Sequence, residues 1–198
     1  MFKLKAVLIF IMVGLFALPV WAGGGSFGLA IYAGQFYDST PIKALTGFRD
    51  SQFEDHYMFG LAVNREIWAS ANWPVSVELE GVMAQQFGKA DLTELAVAPV
   101  LKWQPFASSS LLSGVQVRFA PVGVSWLSKP SPMEPQDKQN GRFLNYLVAE
   151  LAVSTANKQL SESEIFVRLH HRCTVFELWG DNVKNGEDFL AVGYRHYF

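Results

Sequence analysis

The chain has 198 residues, half of them hydrophobic, with 16 Lys and Arg against 18 Asp and Glu and a single cysteine. That balance excludes a nucleic-acid binder, which needs clustered cations against phosphate, and one cysteine excludes an internal disulfide. Phe alone contributes 16 residues, yet beyond the N-terminus no apolar run approaches the roughly 20 residues of a membrane-spanning helix.

At the start, Lys3 and Lys5 precede an apolar run from Ala6 to Leu18, followed by Pro19-Val20-Trp21-Ala22 and three glycines. This pattern predicts a secretory signal peptide over residues 1–22, cut before Gly23; the run is short for a spanning anchor, the alternative reading. Cleavage would leave 176 residues, and the loss of Lys3 and Lys5 would leave 14 basic side chains against 18 acidic ones. In an exported chain Cys173 is either a tolerated small apolar residue or a reactive thiol.

From residue 26 onward, alternating segments are separated by turn chemistry, and they number eight. Residues 26–35 put Phe27, Leu29, Ile31 and Ala33 on one face, and 54–67 do the same with Tyr57, Phe59, Leu61 and Val63. Residues 74–87 set Val75, Val77, Leu79 and Met83 against Glu78 and Glu80, and 92–106 set Leu95, Val97, Leu101 and Trp103 against Glu94 and Lys102. Residues 111–126 set Val115, Val117 and Phe119 against Gln116 and Arg118, and 142–155 set Phe143, Leu147, Leu151 and Val153 against Tyr146 and Glu150. Between them, 127–141 carries three prolines and reads as a loop. Residues 164–173 set Ile165, Val167 and Leu169 against Arg168. The last ten residues put Leu190, Val192, Tyr194 and His196 opposite Ala191, Gly193, Arg195 and Tyr197, and stop on Phe198.

A strand that carries Arg195 yet presents an apolar face is suited to lipid outside and a polar lumen inside. We therefore expect an all-β fold: an eight-stranded antiparallel transmembrane barrel of the outer membrane, one domain over residues 23–198. About 22 residues per strand and connection suit a small closed barrel and not a porin-sized pore. Glu78, Glu80, Glu94, Glu150, Lys102, Arg118 and Arg168 then converge inside, where the expected role is structural ion pairing rather than a catalytic carboxylate pair. Their mixed signs also argue against a channel.

With both ends of an even-stranded barrel on the periplasmic side, the connection of about 174–187 lies on the outer side. His171 and Cys173 share the parity of Ile165 and Val167, and Asp188 shares that of Leu190 and Val192, so all three face lipid at the outer rim. Thiol, imidazole and carboxylate are the groups a nucleophilic triad needs. Ionisable groups facing lipid are costly, which favours a functional reading; the plainer alternative is an amphipathic girdle. The lipid available there is lipopolysaccharide, whose lipid A carries acyl esters. The residues form no Cys/His cluster with zinc spacing, and neither metal nor organic cofactor is expected.

The stretch from His170-His171-Arg172-Cys173-Thr174 through Asn185-Gly186-Glu187-Asp188 to Phe198 resembles the C-terminal end of lipid A 3-O-deacylases of the PagL type, also grouped as acyloxyacyl hydrolase-like outer-membrane proteins. Supporting pieces are Val77-Glu-Leu-Glu-Gly81, Leu95-Ala-Val-Ala-Pro-Val-Leu-Lys-Trp103 and Leu144-Asn-Tyr-Leu-Val-Ala-Glu150. The resemblance spans most of the mature chain, with its specific motifs in the last two strands. It implies an eight-stranded barrel that hydrolyses the ester-linked acyl chain at the 3 position of lipid A, with His171 as general base, Cys173 in the nucleophile's place and Asp188 orienting the imidazole. Three departures stand out: Cys173 where the family has Ser, Thr174-Val-Phe-Glu-Leu-Trp179 where Asn and small residues usually follow, and Lys184 where the family has an oxyanion-donating Asn. Asn182 and Asn185 are the substitutes at hand for that donor. The rival reading is an inactive member serving as a structural or lipid-binding barrel. Pairing into a homodimer stays open, as do Glu177 and Glu187 as alternative acids should Asp188 face the lumen.

Overall fold

The structure is a computed structural model that describes residues 26–38, 52–109, 112–133, 142–154, 163–173 and 186–198. The expected signal peptide and most of the connection 174–187, with Glu177, Asn182, Lys184 and Asn185, lie outside the described residues. The alternating segments are strands: β1 Phe27–Asp38, β2 Gln52–Ala69, β3 Val75–Gly88, β4 Leu92–Trp103, β5 Val115–Ala120, β6 Val124–Leu127, β7 Phe143–Ser154, β8 Ser163–Cys173 and β9 Glu187–Tyr197. Each pairs antiparallel with its neighbours, β1 meets β9, and the β3–β4 ladder closes the sheet on itself. The result is an eight-stave barrel, because β5 and β6 both lie between β4 and β7 and together make one stave.

The fifth stave was expected as one strand over 111–126 and is broken at residues 121–123. Pro121 cannot donate to a ladder. Asn145 repairs the gap from β7: its side-chain oxygen accepts from the Gly123 N–H at 3.1 Å, and its amide donates to the Pro121 carbonyl at 3.4 Å. The first strand also differs, running to Asp38 rather than stopping at Gln35. Its ladder with β2 shifts register between Gln35 and Tyr37, whereas its ladder with β9 stays regular through Phe36 and Phe189.

Alternation sorts the side chains in and out. Ile31, Phe59, Leu151, Ile165, Val167 and Val192 are all exposed, forming an apolar exterior of the kind that lipid covers. Among the described residues no helix is long and apolar enough to cross a membrane, so any crossing is made by strands. Inside, small residues such as Ala30, Ala62, Ala96, Ala98 and Ala152 pack with Tyr32, Tyr146, Phe166 and Phe189. A narrow barrel has room for such rings only beside missing side chains: a Cβ on Gly193 would meet the Phe166 ring and the Tyr32 Cβ.

The charged interior is ordered along the axis. Toward the end bearing Phe27 and Phe198, Arg195 bonds Glu150 at 2.7 Å and Glu164 at 2.5 Å, while Arg118 pairs with Glu78 and Glu164. At mid-height Arg168 pairs with Glu80 at 2.7 Å and Glu150 at 2.6 Å. Each guanidinium meets more than one carboxylate, the arrangement by which buried charges offset their desolvation. Glu78, Glu80, Glu94, Glu150, Arg118 and Arg168 are buried as expected, and Lys102 joins them at 3.0 Å from Glu78.

A histidine, carboxylate and thiol cluster on the outer face

The far end of β8 carries two consecutive histidines on opposite faces of the sheet. His170 turns inward, where Nε2 pairs with Glu94 at 3.1 Å and Nδ1 with the Tyr32 hydroxyl at 3.2 Å. Glu94 in turn accepts from Ser125 at 2.6 Å and from Gln86 at 3.2 Å, and Arg172 bonds Ser125 and Glu187. This interior network takes up Glu187, which faces the lumen and is fully buried.

His171 has the parity of Ile165 and Val167 and stands outside. The β8–β9 register sets it directly opposite Asp188, and strand geometry brings such pairs to about 4.5–5.5 Å between Cβ atoms. Their side chains close the remaining distance: Nδ1 of His171 lies 2.6 Å from Oδ1 of Asp188. With Nδ1–H donated to the carboxylate, Nε2 is the nitrogen left to accept a proton. Cys173 lies two residues along on the same face, half-buried beside the same imidazole. Asp188 and His171 are themselves 5% and 6% exposed although both sit on the outer face.

Three features hold the cluster. Gly186 leads into β9 against the end of β8, where a Cβ would collide with the Arg172 carbonyl oxygen, so only glycine allows the strands this approach. On β7, Asn145 is the register partner of Cys173, and its grip on residues 121–123 fixes the backbone beside the thiol. Just along the barrel wall, Leu169 and Leu190 are opposite one another and pack with Tyr37 and Ala149. Reading the sequence alone missed Asn145 and Tyr37. Asn145 shares its face with Phe143 and Leu147, and a polar residue in that apolar row was the available signal; Tyr37 lay past the expected end of its strand.

Among the described residues no group of His, Cys, Asp and Glu is arranged to hold a metal ion. The chemistry within reach is that of a nucleophile, a base and an orienting acid on a surface facing lipid.

No family model matches the chain, and no curated protein matches it. Among solved structures, the crystal structure of the outer membrane enzyme PagL aligns with a TM-score of 0.55 over 85% of this chain and 98% of that one, at 14% identity. Neisserial surface protein A aligns with a TM-score of 0.47 at 11% identity, covering 89% of this chain and all of that one. The Yersinia pestis outer membrane protein Ail aligns with a TM-score of 0.45 at 15% identity, covering 86% and 99%. The chain has the fold of small outer-membrane barrels.

Proposed function

We propose that the protein is an acyl-ester hydrolase of the outer membrane, similar to lipid A 3-O-deacylases of the PagL type, acting on lipopolysaccharide from its lipid-facing surface. The observation that carries this reading is the His171–Asp188 contact of 2.6 Å with Cys173 two residues along on the same face. Polar groups on a lipid-facing wall are costly, and three that form a nucleophile, base and acid in sequence are best explained by chemistry. The fold shared with the outer membrane enzyme PagL is compatible with it.

In this mechanism Nε2 of His171 takes the Cys173 proton while Asp188 stabilises the resulting imidazolium. The thiolate adds to the ester carbonyl carbon and the carbonyl oxygen becomes an oxyanion. When the tetrahedral centre collapses, the sugar oxygen leaves with the imidazolium proton and a thioester remains on Cys173. Water, deprotonated by His171, then attacks the thioester; the thiolate departs and regains a proton, releasing the fatty acid. Neither a metal nor an organic cofactor is required.

A second reading follows from Cys173 itself. Thiolate is a stronger nucleophile than an alcohol but a larger atom at a different distance from the carbonyl, and a site that drifted from Ser to Cys suits an inactive, lipid-binding barrel. Fatty-acid release from purified lipid A separates the two. The native barrel is expected to release fatty acid and His171→Asn to lose at least about three orders of magnitude of that rate. Equal, background-level release by both would refute the hydrolase reading for this substrate.

A further inference from the structure

Arg142 precedes β7 at the rim and carries a guanidinium held by neutral partners. Its Nε–H donates to the Leu127 carbonyl at 2.9 Å, and its planar head lies over the Trp126 ring, 4.8 Å from the centroid. The Leu127 N–H returns a bond to the Arg142 carbonyl at 2.9 Å, so backbone and side chain grip the same residue. The interior guanidiniums of Arg118, Arg168, Arg172 and Arg195 each meet carboxylates, whereas both of these Arg142 contacts, among the described residues, leave its charge uncompensated. Arg142 is exposed, and so is Lys129, which follows Leu127 by two residues.

Register locates this charge relative to the outer cluster. Trp126 pairs with Leu95 and with the exposed Phe143, which places its ring on the outer wall. Asn145, three residues from Arg142, is the partner of Cys173 on β8. Three strand residues span about 10 Å, so the guanidinium stands one strand across from the thiol and nearer the rim. An arginine whose Nε is engaged and whose plane is stacked keeps its Nη donors in a fixed fork, the geometry that takes a phosphate through two parallel hydrogen bonds. Ordering the side chain before the ligand arrives lowers the cost of binding. We infer that Arg142 is a positioning residue that binds the phosphate of an acylated, phosphorylated glycolipid while its ester lies at Cys173. This rests on the proposed function for the identity of the lipid, but the phosphate site does not require that the ester be cleaved.

Binding and turnover are measured separately on the full-length, detergent-purified barrel, native and as Arg142→Gln and Arg142→Lys. Native mass spectrometry follows the binding of lipid A, of the same lipid A stripped of phosphate, and of phosphatidylglycerol, while fatty-acid release follows turnover. Arg142→Gln is expected to weaken binding of phosphorylated lipid A about tenfold, the worth of a charge-assisted hydrogen bond. Binding of phosphate-free lipid A and of phosphatidylglycerol should stay native, which also reports an intact barrel. Arg142→Lys keeps the charge without the fork and should recover part of the loss. In turnover the loss should fall on KM and spare kcat. If Arg142→Gln binds phosphorylated lipid A as native does, or weakens all three lipids alike, the inference is refuted, and native fatty-acid release would leave the hydrolase reading standing. A loss confined to phosphatidylglycerol also refutes it, by assigning the guanidinium to bulk phospholipid. If the phosphate-dependent loss is seen while the native barrel releases no fatty acid, the phosphate site stands and the hydrolase reading fails.

Discussion

His170 and His171 are consecutive on β8 and face opposite sides of one wall, so they compare a polar group serving the fold with one that the fold does not need. His170 is held by Glu94 at 3.1 Å, by Tyr32 at 3.2 Å and by the Tyr146 ring at 4.8 Å, and its partners are bonded again to Ser125, Gln86 and Arg168. His171 has Asp188 and Cys173, with leucines beside them. Inside a narrow barrel, polar side chains fill space that water would otherwise occupy, and His170, Glu94 and Arg168 each meet more than one partner. On the outer wall an apolar pair in place of His171 and Asp188 would serve the barrel as well or better, since those positions face lipid. On the proposed function the two clusters answer to different demands, stability within and chemistry without.

That contrast can be broken from either side. The largest expected loss of stability comes from the interior: Arg195→Leu strips partners from Glu150 and Glu164 and should cost about 3–5 kcal/mol, because it leaves buried carboxylates uncompensated. Urea unfolding followed by the electrophoretic mobility of the unheated barrel would measure it; a change under about 1 kcal/mol would mean that the interior network is dispensable. A smaller effect is expected at His170. His170→Phe keeps the packing against Phe189 and Tyr146 but removes one partner each from Glu94 and Tyr32, a cost of about 1–3 kcal/mol. Its sharper consequence is a negative one: Cys173 alkylation should keep its native pH profile. If His170→Phe alters that profile as His171→Asn is expected to, the two faces are coupled and the comparison fails.

Period-two alternation made most of the barrel legible in the sequence. Leu29, Phe59, Met83, Val97, Phe119, Leu151, Val167 and Val192 are outside and exposed, as their parity requires, and Glu80, Glu150 and Arg168 are inside and paired. Parity also assigned His171, Cys173 and Asp188 to one face, and the strand register explains why the side chains of His171 and Asp188 meet. Two places were illegible because they interrupt the period. At Pro121 the stave breaks, and the repair comes from Asn145 on another strand, a pairing no local pattern encodes. At Gln35 the ladder with β2 shifts while that with β9 continues, so Phe36 and Tyr37, two adjacent aromatics, read as the end of a strand when they belong to its last turn of alternation. The sequence also could not say which donor serves an oxyanion, since that depends on how strands and connections converge.

The central claim, that the outer cluster performs ester hydrolysis, is tested most directly by mass spectrometry of lipid A from cells expressing the native protein or Cys173→Ala at equal levels of folded barrel. The account predicts lipid A lighter by one ester-linked acyl chain with the native protein and an unaltered profile with Cys173→Ala. Identical profiles, both matching cells that lack the protein, would contradict it.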